Sequence, residues 1–298
     1  MLRPPSRDDG GRWEAAWRQI FPLTSGSRGG KDWGLDGMFR VKICGVTTPA
    51  DARMVAEAGA DCIGLNFVAG SPRALGVEAA RAVAAAIPPG VLRVGVFAGK
   101  SAAEIVAIAN AVGLDAIQLH GHLGGESSVM PTAASPPFDP PGLCAQLAPL
   151  PVIRAVRLRE DGPAASALDP ARAWIAAAES SGQRPAMVIV DAGAPPSAAA
   201  GSLGGTGKVV DWGRLLAAGD PGLPLAVAGG LTAANVAAAI QACGARAVDT
   251  ASGVEQSPGH KDPRLVRAFV AAALAAFPGD SPPLPNRNRA TLRFRTGR

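Results

Sequence analysis

Cysteine, histidine and tyrosine are scarce in this chain of 298 residues, which has four cysteines, three histidines and no tyrosine. The cysteines are Cys44, Cys62, Cys144 and Cys243, and none of them forms a C-x-x-C pair. The histidines lie in cysteine-poor surroundings, so the pattern disfavours a structural zinc site and we expect no metal. Scattered cysteines are typical of a reducing compartment rather than of a disulfide scaffold, and we therefore expect a cytoplasmic protein.

Long hydrophobic runs are also missing. No apolar stretch approaches the roughly 18–20 residues needed to cross a bilayer, so we expect no membrane partner. Residues 1–30 carry Asp8, Asp9 and Glu14 among scattered arginines and lack the apolar segment of a secretory signal. Gly and Pro are abundant but show no Gly-X-Y period, which excludes a collagen-like chain.

Most of the chain carries equal numbers of positive and negative residues, although its formal net charge is +5. Residues 278–298 carry a net charge of +4 and residues 1–37 carry +1, which leaves the stretch between them with none. The basic character therefore belongs to a C-terminal tail. We expect no general attraction to polyanions, and hence no nucleic-acid partner, for the folded part.

Hydrophobic residues make up 48% of the chain, which is enough to bury a full core. Residues 1–37 are polar and rich in glycine, and we interpret them as a flexible extension that precedes a natural start at Met38. The regular pattern covers residues 38–277, and residues 278–298 form the basic, flexible tail. We therefore predict one folded domain, over residues 38–277.

Within that domain, short apolar segments alternate with Ala-rich segments of helical period. The predicted strands are Phe39–Cys44, Asp61–Phe67, Val91–Phe97, Asp115–Leu119, Pro151–Val156, Ala186–Asp191, Leu225–Ala228 and Arg246–Asp249. Eight such strand–helix units in about 240 residues predict a single α/β domain, a (β/α)₈ TIM barrel. The rival, an open doubly wound sheet, would usually carry G-x-G-x-x-G after its first strand, and this chain has Cys44–Thr48 there.

Glycine-rich turns follow the last two predicted strands, with Gly229 and Gly230 after the seventh and Ser252 and Gly253 after the eighth. Glycine lets a backbone approach a phosphate closely and direct several N–H groups at it. Any one glycine is more often just part of a tight turn. Two such turns at adjacent strand ends, where barrels commonly bind phosphate, predict a phosphate site.

Two further side chains at strand ends are candidates for acid–base chemistry. Cys44 emerges beside Gly45, where a thiolate could remove a proton, whereas Cys62 and Cys243 are better explained as small core residues. Asp191 ends the sixth strand and is followed by Ala-Gly-Ala-Pro-Pro, so no helix begins there for it to cap. The pair predicts a general base and a general acid.

Seven short motifs occur in order along the domain, and as a set they resemble those of the phosphoribosylanthranilate isomerases of tryptophan biosynthesis. They are Val41-Lys42-Ile43-Cys44-Gly45, Ser71-Pro72-Arg73, Val94-Gly95-Val96-Phe97, Gln118-Leu119-His120-Gly121, Gly204-Gly205-Thr206-Gly207 with Asp211-Trp212, Ala228-Gly229-Gly230-Leu231 and Ser252-Gly253-Val254-Glu255. The resemblance implies a single barrel, no cofactor and a phosphorylated small-molecule substrate. Members of that family differ in oligomeric state, so the chain could be a monomer or a homodimer.

The resemblance also implies roles for individual residues in an Amadori rearrangement of N-(5′-phosphoribosyl)anthranilate. Asp191 would be the general acid that opens the ribose ring, and Cys44 the general base that removes the C2′ proton. Arg73 would hold the anthranilate carboxylate, with Lys42 as its competitor, and Asp249 would orient ribose hydroxyls or the turn after the eighth strand. His120 would line the pocket or satisfy a neighbouring loop. The residues that would hold the phosphate are Gly229, Gly230, Ser252 and Gly253.

Three alternatives stay open. A bifunctional isomerase that also acts on a histidine-pathway aminoaldose would carry two catalytic aspartates, and Cys44 argues against it. Another phosphate-binding barrel, such as an epimerase or synthase, should show metal ligands or a catalytic lysine. A non-catalytic barrel would be expected to have lost its acid or its base, whereas both positions are occupied here.

Overall fold

A computed structural model describes residues 38–121, 138–159, 162–191 and 212–277. Eight parallel strands close into a barrel in the order β1 to β8, which confirms the predicted fold. The strands are β1 (Val41–Cys44), β2 (Cys62–Asn66), β3 (Leu92–Phe97), β4 (Ala116–Leu119), β5 (Val152–Arg157), β6 (Met187–Asp191), β7 (Leu225–Val227) and β8 (Ala247–Thr250). The proposed extensions, residues 1–37 and 278–298, lie outside the described residues.

Helices connect successive strands and pack outside the barrel. They are α1 (Pro49–Glu57), α2 (Val77–Ala85), α3 (Ala102–Val112), α4 (Leu143–Gln146), α5 (Asp169–Ser180), α6 (Trp212–Ala218), α7 (Val236–Cys243) and α8 (Pro263–Ala276). Two 3₁₀ turns (Ala164–Ser166 and Ser252–Val254) and a small hairpin of β9 (Glu255–Ser257) and β10 (His260–Lys261) complete the set. In the described ranges, no helix is long and apolar enough to span a membrane.

Local sequence signals explain where the helices begin and end. Ser101 caps α3 by accepting a hydrogen bond from the amide of Glu104, whose carboxylate reaches back to the Ser101 amide. Gly113 ends the same helix with a left-handed φ of 75°, a conformation that glycine adopts without a Cβ penalty. Asp262 caps α8 through the amides of Arg264 and Leu265, as the sequence predicts.

One helix begins later than predicted. The sequence favours a helix over Thr232–Cys243 with Thr232 as its cap, but α7 begins at Val236. The side chain of Asn235 accepts a hydrogen bond from the Thr232 amide at 2.8 Å and donates one to the Gly230 carbonyl at 3.0 Å. The Thr232 carbonyl accepts hydrogen bonds from the amides of Asn235 at 3.2 Å and Val236 at 3.0 Å, so residues 233–235 form a turn that leads into the regular helix. The bond from the Thr232 amide to the Asn235 side chain corresponds to one half of a capping box.

Alternation along β1 places its side chains on two sides of the barrel wall. Val41 and Ile43 join the apolar core between strands and helices. Lys42 and Cys44 therefore face the barrel interior, since successive strand residues point to opposite faces. Lys42 lies opposite Asp249 of β8, the strand pair that closes the barrel. The C-terminal ends of the eight strands form one rim, hereafter the mouth, where barrel enzymes carry their active sites.

Candidate active site

Cys44 lies at the C-terminal end of β1 and is partly exposed at the mouth. Burial raises the pKa of its thiol, and the nearby Lys42 ammonium acts in the opposite direction. On the neighbouring strand, Gly64 is opposite Cys44, and a Cβ at Gly64 would stand 2.7 Å from the sulfur and 3.2 Å from Lys42 Nζ. The missing side chain of Gly64 therefore leaves room for the thiol and the ammonium side by side.

Lys42 and Asp249 form a buried ion pair behind this thiol. Lys42 Nζ lies 2.9 Å from Asp249 Oδ1, and the Lys42 side chain has no exposed surface. Burial alone would lower the pKa of Lys42, but Asp249 and the thiols of Cys44 and Cys62 raise it above its ordinary value. Lys42 is therefore a protonated cation held inside the barrel, and it is not placed in the mouth as a carboxylate ligand.

Asp191 ends β6, is buried, and lies close to His120, which directly follows β4. His120 Nε2 is 3.7 Å from Asp191 Oδ2. Burial lowers the pKa of His120 against the attraction of Asp191, which favours a neutral imidazole. The structure thus brings together these two predicted site residues from strands that are not adjacent.

Arg73 is anchored by a residue whose role the sequence did not predict. Its Nε and Nη2 donate hydrogen bonds of 2.8 and 2.6 Å to the two carboxylate oxygens of Glu255. The same carboxylate accepts a hydrogen bond of 2.7 Å from Lys261 Nζ. Burial of Glu255 opposes ionisation, but Arg73 and Lys261 together hold its pKa below the ordinary value.

The β9–β10 hairpin buttresses the end of β1. Lys261 Nζ donates to the Cys44 carbonyl at 2.7 Å and to the Ala251 carbonyl at 3.0 Å. Gly45 has a φ of +69°, and a Cβ there would stand 2.3 Å from Cδ of Arg73. Glycine at this position therefore lets the Arg73 side chain lie directly against the turn that follows Cys44.

The loops after β7 and β8 are locked together. Thr250 Oγ1 donates to the Leu231 carbonyl at 2.7 Å, and a Cβ on Gly253 would stand 1.8 Å from that same oxygen. Gly229 and Gly230 both have positive φ. Of the hydrogen bonds between described residues, none is donated by the backbone amides of Gly229, Gly230, Ser252 and Gly253. The two predicted turns therefore meet, and the contact with the Leu231 carbonyl requires glycine at residue 253.

A second buried ion pair, Asp139 with Arg154, lies beside the mouth. The sequence does not indicate it, because Asp139 belongs to a Pro-rich insert, residues 123–141, in which we predict no catalytic or binding group. Asp139 accepts hydrogen bonds from the amides of Gly99 and Gly121 and from Arg154 Nη1. The Arg154 guanidinium lies 4.8 Å from the ring centroid of Trp174, whose Nε1 donates to the Asp139 carbonyl. The end of the insert thus ties together the loops after β3 and β4.

Some predicted motif residues, Gly204–Gly207 and Asp211, lie outside the described residues. In the part of the chain that the structure describes, no group of three or more His, Cys, Asp or Glu side chains could hold a metal ion. A thiol, a carboxyl group and an arginine at the mouth of a (β/α)₈ barrel are typical of the enzymes of this fold class.

Comparison with known proteins identifies the family within this class. The family model of N-(5'-phosphoribosyl)anthranilate (PRA) isomerase matches residues 41–135 and 154–272. The chain therefore belongs to the phosphoribosylanthranilate isomerase family. The N-(5'-phosphoribosyl)anthranilate isomerase of Acidithiobacillus ferrooxidans is 39% identical over 234 residues, covering 78% of this chain and 97% of that protein. The isomerase of Ruegeria sp. is 40% identical over 236 residues, covering 79% and 98%.

Solved structures agree with this assignment. The phosphoribosyl anthranilate isomerase of Thermotoga maritima is 32% identical with a TM-score of 0.63, and the match covers 80% of this chain and all of that one. A phosphoribosyl anthranilate isomerase in complex with reduced 1-(o-carboxyphenylamino)-1-deoxyribulose 5-phosphate is 30% identical with a TM-score of 0.61, with the same coverage. These likenesses span the whole barrel.

Proposed function

We propose that this chain isomerises N-(5′-phosphoribosyl)anthranilate to 1-(2-carboxyphenylamino)-1-deoxyribulose 5-phosphate in tryptophan biosynthesis. The observation that carries this proposal is family membership over the whole barrel, with Cys44 and Asp191 both present at ends of strands at the mouth. A bifunctional isomerase with two catalytic aspartates fits less well, because a cysteine stands at the end of β1.

In this mechanism Asp191, in its protonated form, is the general acid. It gives its proton to the ribose ring oxygen, the bond from C1′ to that oxygen breaks, and the anilino nitrogen lone pair forms a C1′=N iminium. Neutral His120, 3.7 Å away, is a nearby polar group that faces the carboxyl without adding positive charge. Ring opening leaves Asp191 as a carboxylate, which can later regain a proton.

Cys44, as a thiolate, is the general base. It removes the proton from C2′, and the electrons of that C–H bond form C1′=C2′ while the iminium electrons return to nitrogen. The product of this step is a neutral enolamine, with its hydroxyl on C2′. Transfer of the hydroxyl proton away from oxygen and addition of a proton at C1′ give the ketone. The reaction as a whole neither consumes nor releases protons.

Substrate binding needs partners for a carboxylate and a phosphate. Arg73 uses two of its five N–H donors on Glu255, so three remain for the anthranilate carboxylate, and Glu255 fixes the plane of the guanidinium. The backbone amides of Gly229, Gly230, Ser252 and Gly253 would hold the phosphate. Asp249 would orient ribose hydroxyls chiefly through Oδ2, because Oδ1 already accepts a hydrogen bond from Lys42.

We further propose a cytoplasmic location, which fits the four free thiols, Cys44, Cys62, Cys144 and Cys243. Both a monomer and a homodimer are compatible with this function. In the same family, a structure from Thermotoga maritima contains mutually generated monomers of a dimeric isomerase.

The test is turnover of N-(5′-phosphoribosyl)anthranilate by the purified chain and by two variants. Cys44→Ala and Asp191→Asn are each expected to lower kcat by at least about 100-fold, the scale of acid–base groups, with folding intact. Cys243→Ala and Asp169→Asn, at a partly exposed thiol and an exposed carboxylate, are the matched controls and should keep parental turnover. An inactive parent would overturn the function, and an active variant would overturn its residue's role.

A further inference from the structure

Lys42 is the one charged group of β1 inside the barrel among the described residues, and the reaction steps above do not use it. Its side chain is completely buried, a position that Lys takes only with a partner. Asp249 Oδ1 supplies that partner at 2.9 Å. The pair is joined across the strands that close the barrel, from residues 207 positions apart in sequence. Such a pair is costly to bury, so a purpose beyond stability is worth seeking.

The second neighbour of the Lys42 ammonium is the thiol of Cys44. Both Lys42 Nζ and Cys44 Sγ lie within 3.2 Å of the point where a Cβ on Gly64 would stand, which makes the ammonium and the sulfur close neighbours. Strand alternation enforces this proximity, because residues 42 and 44 share one face of β1. The ammonium thus lies between a carboxylate and the sulfur.

Several other titratable groups face Cys44 and have to be considered with Lys42. They are Cys62 on β2, Arg73 after β2, Asp249 on β8 and Lys261 on β10. Arg73 and Lys261 are both committed to Glu255, which offsets their charge. Asp249 acts against a thiolate and Lys42 acts for it. Among the neighbouring cations, Lys42 favours the ionised sulfur most strongly.

We propose that Lys42 is a positioning residue for the general base: its buried ammonium, held by Asp249, stabilises the thiolate form of Cys44. The proposal rests on the proposed function for the use made of that thiolate. In this arrangement Asp249 holds the ammonium in place and partly offsets its positive charge at the sulfur. Gly64 belongs to the same arrangement, since any side chain there would enter the space that the sulfur and Nζ share.

Thiol ionisation can be measured without any turnover. The rate at which iodoacetamide alkylates Cys44 is followed against pH on the Cys44 peptide by mass spectrometry, in the full chain and in K42M, D249N and K42M/D249N. We expect K42M to raise the apparent pKa of Cys44 by roughly one unit or more, the usual effect of losing a close opposite charge. D249N should lower it, because the charge of Lys42 is then no longer offset.

The opposite signs separate an electrostatic role from a structural one, which would disturb Cys44 in the same direction in both variants. If K42M does not fold because Asp249 is left buried and unpaired, D249N and the double variant decide. These two proteins differ only at residue 42, where one carries the ammonium and the other an uncharged side chain of similar length. The apparent pKa of Cys44 must therefore be lower in D249N than in K42M/D249N. Equal values for those two proteins, or shifts of the same sign in the two single variants, overturn the proposal.

Turnover of N-(5′-phosphoribosyl)anthranilate by the same four proteins distinguishes a failure of the proposed function from a failure of the Lys42 assignment. In each protein, the pH at which kcat/KM falls on the acidic side of its profile should shift in the same direction as the apparent pKa of Cys44. An inactive parent with the expected order of thiol pKa values would refute the proposed function and leave the Lys42 assignment standing. An active parent in which the K42M titration matches the parent would refute the Lys42 assignment alone.

Discussion

Glu255→Gln tests whether the carboxylate that joins Arg73 and Lys261 organises the mouth. The Glu255 and Lys261 side chains are 3% and 0% exposed, and Arg73 is 10% exposed, so both ion pairs are largely removed from water. Gln keeps the shape of the side chain but removes the charge that two cations share. Breaking a buried pair by removing one partner costs about 3 kcal/mol or more. For a domain of this size, that loss corresponds to a Tm lower by roughly 6–12 °C.

The assay is thermal unfolding of the full chain beside a matched control. Glu78→Gln removes the same charge from a pair with Arg81 in which the side chains are 85% and 57% exposed, and it should change Tm by no more than about 2 °C. A Tm for Glu255→Gln within that same range would refute the reasoning. Such a result would mean that water or a rearrangement of the surrounding residues replaces the lost carboxylate as a partner of Arg73 and Lys261.

The same variant also carries a pH signature. Because the pKa of Glu255 is lowered in the folded chain, its stabilising contribution is present above the ordinary value of 4.5 and is lost as pH falls through the lowered value. The free-energy gap between parent and Glu255→Gln should therefore be largest near neutral pH and shrink on acidification below about pH 4.5. A gap that stays constant over this range would show that the effect is not electrostatic.

Two further predictions concern the ends of the substrate. Arg73→Ala should raise KM more than it lowers kcat if its contact with the substrate is equally strong in the ground and transition states. Inorganic phosphate should inhibit the variant and the parent equally. An unchanged KM in steady-state kinetics would mean that another residue binds the anthranilate carboxylate. Gly253→Ala places a Cβ where the Leu231 carbonyl stands, so the two loops must separate and phosphate inhibition should weaken about tenfold. The control is Gly76→Ala, because a Cβ at Gly76 would meet no other atom and the backbone φ there is negative. Equal phosphate inhibition in the two alanine variants would show that Gly253 is not part of the phosphate site.

The barrel and the strand-end residues were predictable because their signals are local. A buried parallel strand is a short apolar run, and the residue at its C-terminal end is fixed by counting, as for Cys44 and Asp191. Helix boundaries with explicit caps, such as Asp262 before α8, were predictable for the same reason. The start of α7 was not, because residues 233–235 form a turn on the Thr232 carbonyl instead of a regular helical turn, and the residue types do not distinguish the two.

Pairings across the barrel were not predictable from one sequence. Lys42 with Asp249 and Arg73 with Glu255 join residues 207 and 182 positions apart, and strand closure alone decides which side chains meet. Asp139 lies in a Pro-rich stretch with no periodicity, so nothing marks it as a buried partner for a residue of β5. The one available signal was a charged residue inside an apolar strand, which has to find a counter-charge. Lys42 and Arg154 both carried that signal.

The alternation of β1 links the fold to the proposed chemistry. Val41 and Ile43 fill the core outside the barrel, and this fixes Lys42 and Cys44 inside it. A shift of register by one residue would turn both polar side chains toward the helices and both apolar ones into the mouth, so packing forbids it. The core thus specifies the register, and the register specifies that an ammonium and a thiol lie two residues apart on one face. The position of Cys44, the proposed base, is therefore fixed by the core residues Val41 and Ile43 on the other face of β1.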